Sequence, residues 1–158
     1  MISTLLETLK SGLEKKIILL DRIMEATQLQ NEALSGTQPD IEKFDEQISD
    51  KNKYLDELLL LDKGFDAVYD NIKDEIADNK ELYAAQIKEM QNYISVITDK
   101  SVKIKATEQE NKKIFEKFLS SRKNEIRNFK LSSKTVANYY KNMTGKNYGQ
   151  SYFMDKKK

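Results

Sequence analysis

The sequence of 158 residues contains no cysteine, no histidine and no tryptophan, and it has only one proline and five glycines. Without cysteine, the chain has no disulfide framework, no thiolate metal site and no cysteine nucleophile. Without histidine, it lacks the commonest protein metal ligand and the usual general base near neutral pH. The scarcity of glycine and proline argues against a β-protein, because such proteins need frequent turns. No apolar run approaches the roughly 18 residues of a membrane span.

The remaining polar residues form no recognisable catalytic or metal-binding set. There is no glycine-rich phosphate loop, and acidic pairs such as Glu108 and Glu110 lack the Glu-x-x-His motif of di-iron bundles. Ser120 and Ser121 have only Lys and Glu near them at helical spacing. We therefore predict no enzymatic activity, no bound metal and no cofactor. The N-terminal residues lack the basic and apolar regions of a signal peptide, so we expect a soluble cytoplasmic protein without membrane insertion.

Apolar residues recur in steps of four and three along three stretches of the chain, and this spacing keeps them on one side of an α-helix. We predict helices at about 2–34, 40–78 and 80–129, which form an all-α, elongated antiparallel bundle over residues 1–131. A short helix and a flexible, Gly-, Asn- and Lys-rich tail should follow over 132–158. The stripes are Ile2, Leu6, Leu9, Leu13, Ile17, Leu20, Met24; then Ile41, Phe44, Ile48, Leu55, Leu58, Phe65, Tyr69, Ile72, Ile76; then Tyr83, Ile87, Met90, Ile94, Ile97, Ile104, Phe115, Phe118.

Two places in the second stretch leave alternatives open. Leu58 to Leu61 is a run of four leucines, more than one helix face needs, and Gly64 follows it. The helix either continues through this glycine or breaks there into two helices. The turn at Asp78 and Asn79 has no glycine or proline, so an unbroken helix through it is also possible.

If that turn exists, facing residues of the second and third helices have numbers that sum to about 159. Lys51 then faces Glu108, and both are polar residues in otherwise apolar stripes. A buried pair of this kind would fix the register of the helices more than it would stabilise them. The alternative is that both side chains extend to the edge of the interface and reach water.

Charge is divided unevenly along a chain whose net charge is only +1. Residues 1–99 hold 11 Lys/Arg and 21 Asp/Glu, a net charge of −10, whereas residues 100–158 hold 16 and 5, a net charge of +11. Antiparallel helices that neutralise each other explain this division, and so does a basic end that meets an acidic partner. The basic residues are dispersed and accompany no nucleic-acid-binding motif, so we do not expect nucleic acid as the partner.

Two groups of apolar side chains are candidates for binding a partner protein. Solvated tails are normally poor in aromatic residues, so those after residue 138 look like anchors for a partner or for the bundle itself. Residues of the third helix form either one wall of a binding groove or ordinary core. The first group is Tyr139, Tyr140, Met143, Tyr148, Tyr152 and Phe153; the second is Phe115, Phe118 and Leu119.

The chain resembles the flagellar export chaperones of the FlgN type, and the FliT type almost equally. The stretches that carry the resemblance are LLETLKSGLEKKIILLDRI, DKNKYLDELLLLDKGFDAVYD, YYKNM and SYFMDKKK, within a three-helix layout and a basic aromatic tail. The resemblance implies a cytoplasmic chaperone that binds hook-associated or filament cap proteins before secretion and delivers them to the export gate. It also implies that Tyr139 or Tyr140 contacts the gate's cytoplasmic domain.

Two other functions fit the same composition. A structural coiled-coil protein would form a tight dimer and bind no secretion client. A helical protein associated with nucleic acid would show binding that falls steeply with salt.

Overall fold

Three α-helices account for most of residues 1–121, the part of the chain that the computed structural model describes. They are α1 (Ile2–Leu34), α2 (Ile41–Asp78) and α3 (Ala84–Ser121), and no strand occurs within residues 1–121. The all-α prediction and the packing of three long helices against one another are confirmed for this range. The predicted helix end near Phe129, the short C-terminal helix and the tail fall outside the described residues.

The first connection ends α1 with hydrogen bonds made by its own residues. The Ser35 hydroxyl donates to the Asn31 carbonyl at 2.6 Å, and the Asp40 amide donates to the Ala33 carbonyl at 2.9 Å. Asp40 then caps α2, because its carboxylate accepts a 3.1 Å hydrogen bond from the Lys43 amide. That bond satisfies one of the amides that a helix N-terminus leaves without an internal partner.

The second connection is longer than predicted, so the third helix starts at Ala84 and not at Lys80. Residues 79–83 form turns in place of a helical start. The Asn79 side-chain amide donates to the Glu75 carbonyl at 2.9 Å, while the Asn79 backbone amide donates to the Ile76 carbonyl at 3.2 Å. These bonds cap the last carbonyls of α2 without a glycine or a proline. Helix α2 itself continues through Gly64, so there is no break at that residue.

The described helices form two compact units, and each helix contributes a segment to both. Unit 1 comprises Met1–Leu20 and Glu57–Asp99 of the described chain. Its core consists of leucines from α1, aromatic and isoleucine residues from α2, and Met90, Ile94 and Ile97 from α3. Lys10 of α1 pairs with Glu89 of α3 at 2.7 Å, and the Tyr93 hydroxyl donates to Glu14 at 3.1 Å. Both pairs join residues 79 apart in the sequence, so α1 and α3 run parallel in this unit.

Unit 2 comprises Asp21–Asp56 and the described part of Lys100–Gly145. The facing of α2 and α3 predicted from the sequence is confirmed here, since Lys51 binds Glu108 directly. Phe44 and Phe115, whose numbers also sum to 159, stack with ring centroids 4.9 Å apart and planes 8° from parallel. A constant sum identifies two antiparallel helices. Full burial of an aromatic or aliphatic side chain stabilises a fold by about 1.5–3 kcal/mol, so these contacts hold the unit together.

Candidate functional site

The structure places the predicted groove-wall residues of α3 in the core of unit 2. Phe115 and Phe118 are only 3% and 8% exposed, and Leu119 is partly buried against them. They pack with Leu34, Ile41, Phe44 and Ile48, so they are ordinary core residues and do not form an exposed wall. The six predicted anchors of the tail, Tyr139, Tyr140, Met143, Tyr148, Tyr152 and Phe153, lie outside the described residues.

A cleft of about 490 Å³ lies between α1 and α2 within unit 1. Its α1 wall is made mostly of small or polar residues, whereas its α2 wall is mostly aliphatic and aromatic. The cleft therefore joins an apolar surface to a row of hydroxyl groups, a combination that fits a helix with one apolar stripe. The lining residues are Thr4, Glu7, Thr8, Leu9, Ser11, Gly12 and Lys15 of α1, with Leu60, Leu61, Gly64, Phe65 and Val68 of α2.

Two glycines in the middle of helices face this cleft. A Cβ atom built on Gly12 or on Gly64 would meet no other atom within 4 Å. Glycine inside a helix costs about 0.5–1 kcal/mol relative to alanine, and neither backbone adopts a positive φ that would require glycine. Nothing in the packing of the described residues thus explains why either position lacks a side chain.

Exposed aliphatic side chains lie beside the cleft and in it. Leu60 is 71% exposed and Leu59 is 46% exposed, both within the run of four leucines in α2. Ile18 of α1 is 53% exposed. It lies three residues after the lining residue Lys15, which lies four residues after the lining residue Ser11, so all three share one side of α1. Leu59 lies about 100° round the helix from Leu60 and faces away from the cleft, so Leu60 and Ile18 are the exposed aliphatic residues at this site.

The stripe of α2 that lines the cleft continues beyond it into acidic residues, which form an acidic border although none of them lines the cleft itself. Steps of four and three from Leu61, Gly64 and Val68 reach Glu57 on one side, and Asn71, Glu75 and Asp78 on the other. Between Glu57 and Asp78, the exposed charged residues of α2 are five acids, Glu57, Asp70, Asp74, Glu75 and Asp78, and two lysines, Lys63 and Lys73. Lys73 pairs with Asp70 at 3.6 Å, but this pair is exposed to solvent and therefore weak.

A buried polar layer crosses unit 2 and joins all three helices. The Lys51 ammonium donates to Glu108 and to the Gln30 side-chain oxygen, and the Gln30 amide donates to the Phe44 carbonyl at 3.1 Å. The Thr27 hydroxyl lies 3.0 Å from the Glu108 carboxylate. Lys51 and Glu108 are 2% and 3% exposed, so the prediction of a buried pair is confirmed and the solvated alternative is not.

Two asparagines extend this layer. The Asn111 amide donates to the Thr27 carbonyl at 3.0 Å, and its side-chain oxygen accepts a 2.8 Å bond from Asn31. Burial lowers the pKa of Lys51, whereas the nearby Glu108 carboxylate acts to raise it. Because every bond in the layer is directional, it fixes the register of the helices.

Unit 1 contains a comparable ion pair, between Lys16 of α1 and Asp62 of α2 at 2.9 Å. Lys16 is 4% exposed, and burial lowers its pKa while the charge of Asp62 acts in the opposite direction. The pair joins α1 to α2 and leaves the cleft-lining neighbour Lys15 exposed.

Residues 1–121 contain no group of three or more acidic side chains placed to hold a metal ion. None of the three described helices is long and apolar enough to cross a membrane. Comparisons with protein-family models, with curated proteins and with solved structures find no match to this chain. The function of the cleft has therefore to be inferred from its own geometry.

Proposed function

We propose that this protein is a flagellar export chaperone of the FlgN or FliT type. In the cytoplasm it would hold hook-associated or filament cap proteins before secretion and deliver them to the export gate. The observation that supports binding of such clients is the open cleft of unit 1, with Leu60 and Ile18 exposed at it. The flagellar assignment comes from the sequence resemblance alone.

A chaperone of this kind binds segments that are helical in the assembled structure but unstable alone. An apolar groove between two helices binds such a segment through its i, i+3, i+4 and i+7 side chains. The cleft between α1 and α2 offers such a groove, and the Lys16–Asp62 ion pair joins the same two helices in unit 1. We propose a binding protein and not an enzyme, since the chain has no histidine or cysteine to supply the usual catalytic groups.

The test is a direct binding measurement with purified proteins. The full chain should form a complex with hook–filament junction proteins or with the filament cap protein, and isothermal titration calorimetry gives the dissociation constant. Binding to only one of these proteins would identify the FlgN or the FliT type. If the chain binds neither protein but forms a tight dimer, the structural coiled-coil alternative is correct and the proposal fails.

We propose further that the basic tail docks on the export gate through Tyr139 or Tyr140. Tyrosine offers both apolar area and a hydroxyl group, which suits a partner contact. Changing both tyrosines to alanine should weaken binding to the gate's cytoplasmic domain and leave client binding unchanged, with a loss of about 1–3 kcal/mol for each anchor. The melting temperature should stay within a few degrees of the wild type. A large fall in melting temperature would show that these tyrosines stabilise the bundle.

A further inference from the structure

The cleft of unit 1 carries information about the chemistry of its occupant as well as about its shape. Its floor includes Leu9, Leu61 and Phe65, and Leu60 stands largely exposed at its edge. These residues would pack against an apolar stripe. The open positions at Gly12 and Gly64 let the backbone of an occupant approach both helices more closely than side chains would allow.

The charges around the cleft complement a basic occupant. On α1, Glu7 and Lys15 cancel each other, so the sign is decided by α2. There the stripe that runs through Gly64 carries Glu57 on one side and Glu75 and Asp78 on the other, and no lysine lies on it between Glu57 and Asp78, whereas Lys53 lies one step of four before Glu57. An acidic border selects against acidic segments and accelerates association with basic ones.

We infer that the cleft binds an amphipathic helix of a partner protein that carries lysine or arginine at both ends of its apolar stripe. This inference rests on the proposed function and adds the binding site and the chemistry of the client segment. The apolar stripe packs on Leu60, Leu61 and Val68. The basic side chains then meet Glu57 at one end of the cleft and Glu75 with Asp78 at the other.

The first experiment measures binding of synthetic helices to the full chain by fluorescence anisotropy. The probe is a labelled peptide of about 18 residues, five helical turns, with leucine at i, i+3, i+4 and i+7 and lysine at the flanking positions. The matched control peptide has glutamate in place of every lysine. The lysine peptide should bind at least about tenfold more tightly than the glutamate peptide at low salt, and the difference should shrink as salt is added. Equal affinity for the two peptides would overturn the inference.

Variants of the chain place the peptide in the cleft. Gly64→Leu fills the open position and should lower the affinity for the lysine peptide at least about tenfold. The control Val102→Ala, in unit 2, should leave this affinity unchanged. Gly64→Ala adds only a methyl group, and it should raise the melting temperature while it weakens binding. If Gly64→Leu binds the peptide like the wild type, the peptide lies elsewhere and the inference is wrong.

Charge reversal tests the acidic border separately. The double variant Glu75→Lys/Asp78→Lys should lower the affinity for the lysine peptide and raise the affinity for the glutamate peptide. The control Glu46→Lys/Glu110→Lys makes the same change of net charge at exposed positions of unit 2 and should alter both affinities by less than about twofold. Equal effects of the two double variants would mean that only the net charge of the protein matters, which contradicts the inference.

Two other occupants of the cleft would also contradict it. A dimer seen by analytical ultracentrifugation in the wild type and lost in Gly64→Leu would identify a second copy of the chain as the occupant. A gain of peptide affinity in Tyr139→Ala/Tyr140→Ala would identify the chain's own tail.

The outcome for the cleft can be separated from the outcome for the proposed function. If flagellar clients bind the wild type and Gly64→Leu equally, the chaperone proposal stands and the inference about the cleft fails. If the lysine peptide binds in the cleft but no flagellar protein does, the inference stands and the chaperone proposal fails.

Discussion

The buried pair of Lys51 and Glu108 gives the sharpest test of how this fold is held together. Changing Glu108 to glutamine keeps the shape of the side chain and removes its charge, so Lys51 remains 2% exposed without its anionic partner. Breaking a buried ion pair by removing one partner typically costs about 3–5 kcal/mol, against a total stability of about 5–15 kcal/mol for a domain.

The ability of Lys51 to lose its proton limits the loss. An ordinary lysine has a pKa of about 10.4, which is about 3.4 units above pH 7. Removing its proton at pH 7 therefore costs about 4.6 kcal/mol. Because the glutamine that replaces Glu108 can still accept a hydrogen bond from Lys51, we expect Glu108→Gln to lose about 2–4 kcal/mol in urea denaturation at neutral pH. The double variant Lys51→Met/Glu108→Leu leaves no charge in the buried polar layer of unit 2 and should lie within about 2 kcal/mol of the wild type, since the Gln30 oxygen loses one donor while the Thr27 hydroxyl still donates to the Ile23 carbonyl.

The pH dependence provides an independent check. Burial lowers the pKa of Lys51 below 10.5 in the folded chain. At pH values between this lowered pKa and 10.5, the unfolded chain binds more protons than the folded chain does. The free energy of unfolding therefore rises with pH over that interval. Glu108 acts to raise that pKa, and its removal therefore extends this interval to lower pH. The difference in stability between wild type and Glu108→Gln should shrink as pH increases from about 7. A loss below about 1 kcal/mol, or effects of Lys51→Met and Glu108→Leu that simply add in the double variant, would refute this explanation.

Three further predictions use other parts of the described structure. Gly12→Ala and Gly64→Ala should each raise the free energy of unfolding by about 0.5–1 kcal/mol, because each adds a helix-favouring methyl group in open space; a decrease in urea denaturation would show that the space is not open. Phe115→Ala should lower it by about 3–5 kcal/mol, since the ring fills the core beside Phe44, and a loss under about 1 kcal/mol would mean that the ring is not packed there. Burial lowers the pKa of Lys16 in the folded chain, so Lys16→Met should show a smaller gain in stability between about pH 7 and pH 10 than the wild type; identical slopes would contradict this.

The hydrophobic pattern is sufficient to predict the helices and their facing, because long helices repeat the same signal many times. The facing of Lys51 and Glu108 is predictable for a further reason. A polar residue in an apolar stripe has few places where it can be satisfied, and two such residues on neighbouring helices meet only in one register. The Phe44–Phe115 stack follows from the same register.

The second turn is harder to predict because it depends on a single side chain. Asn79 ends α2 by bonding to the Glu75 carbonyl, a local interaction that leaves no trace in the periodicity of the apolar residues. The predicted start of α3 at Lys80 is therefore too early, since the helix begins at Ala84. The sequence leaves Phe115 and Phe118 as either a groove wall or core, because an apolar stripe fits both, and the structure shows that they are core.

The cleft was not predicted, although its signals are visible in the sequence. Periodicity reports the side chains that are present, whereas this site depends on two side chains that are missing, at Gly12 and Gly64. The run Leu58 to Leu61 has more leucines than one face needs, but nothing in the pattern shows where the surplus lies. The alignment of α1 with α2 brings the surplus leucines and both glycines together at one place, and only the structure shows this alignment.

Both units bury polar groups, and both expose some aliphatic side chains, such as Leu82 in unit 1 and Val102 in unit 2. In unit 2, each of the bonds described for Lys51, Glu108 and Asn111 joins two helices, so the burial of these polar groups is explained by register. Unit 1 exposes Leu60 and keeps Gly12 and Gly64 in helices, and no contact among the described residues compensates for these costs. Sequences depart from what stability favours mainly at functional positions. Since Leu60, Gly12 and Gly64 all line the same cleft, the proposed partner helix would account for them together, whereas stability explains none of them.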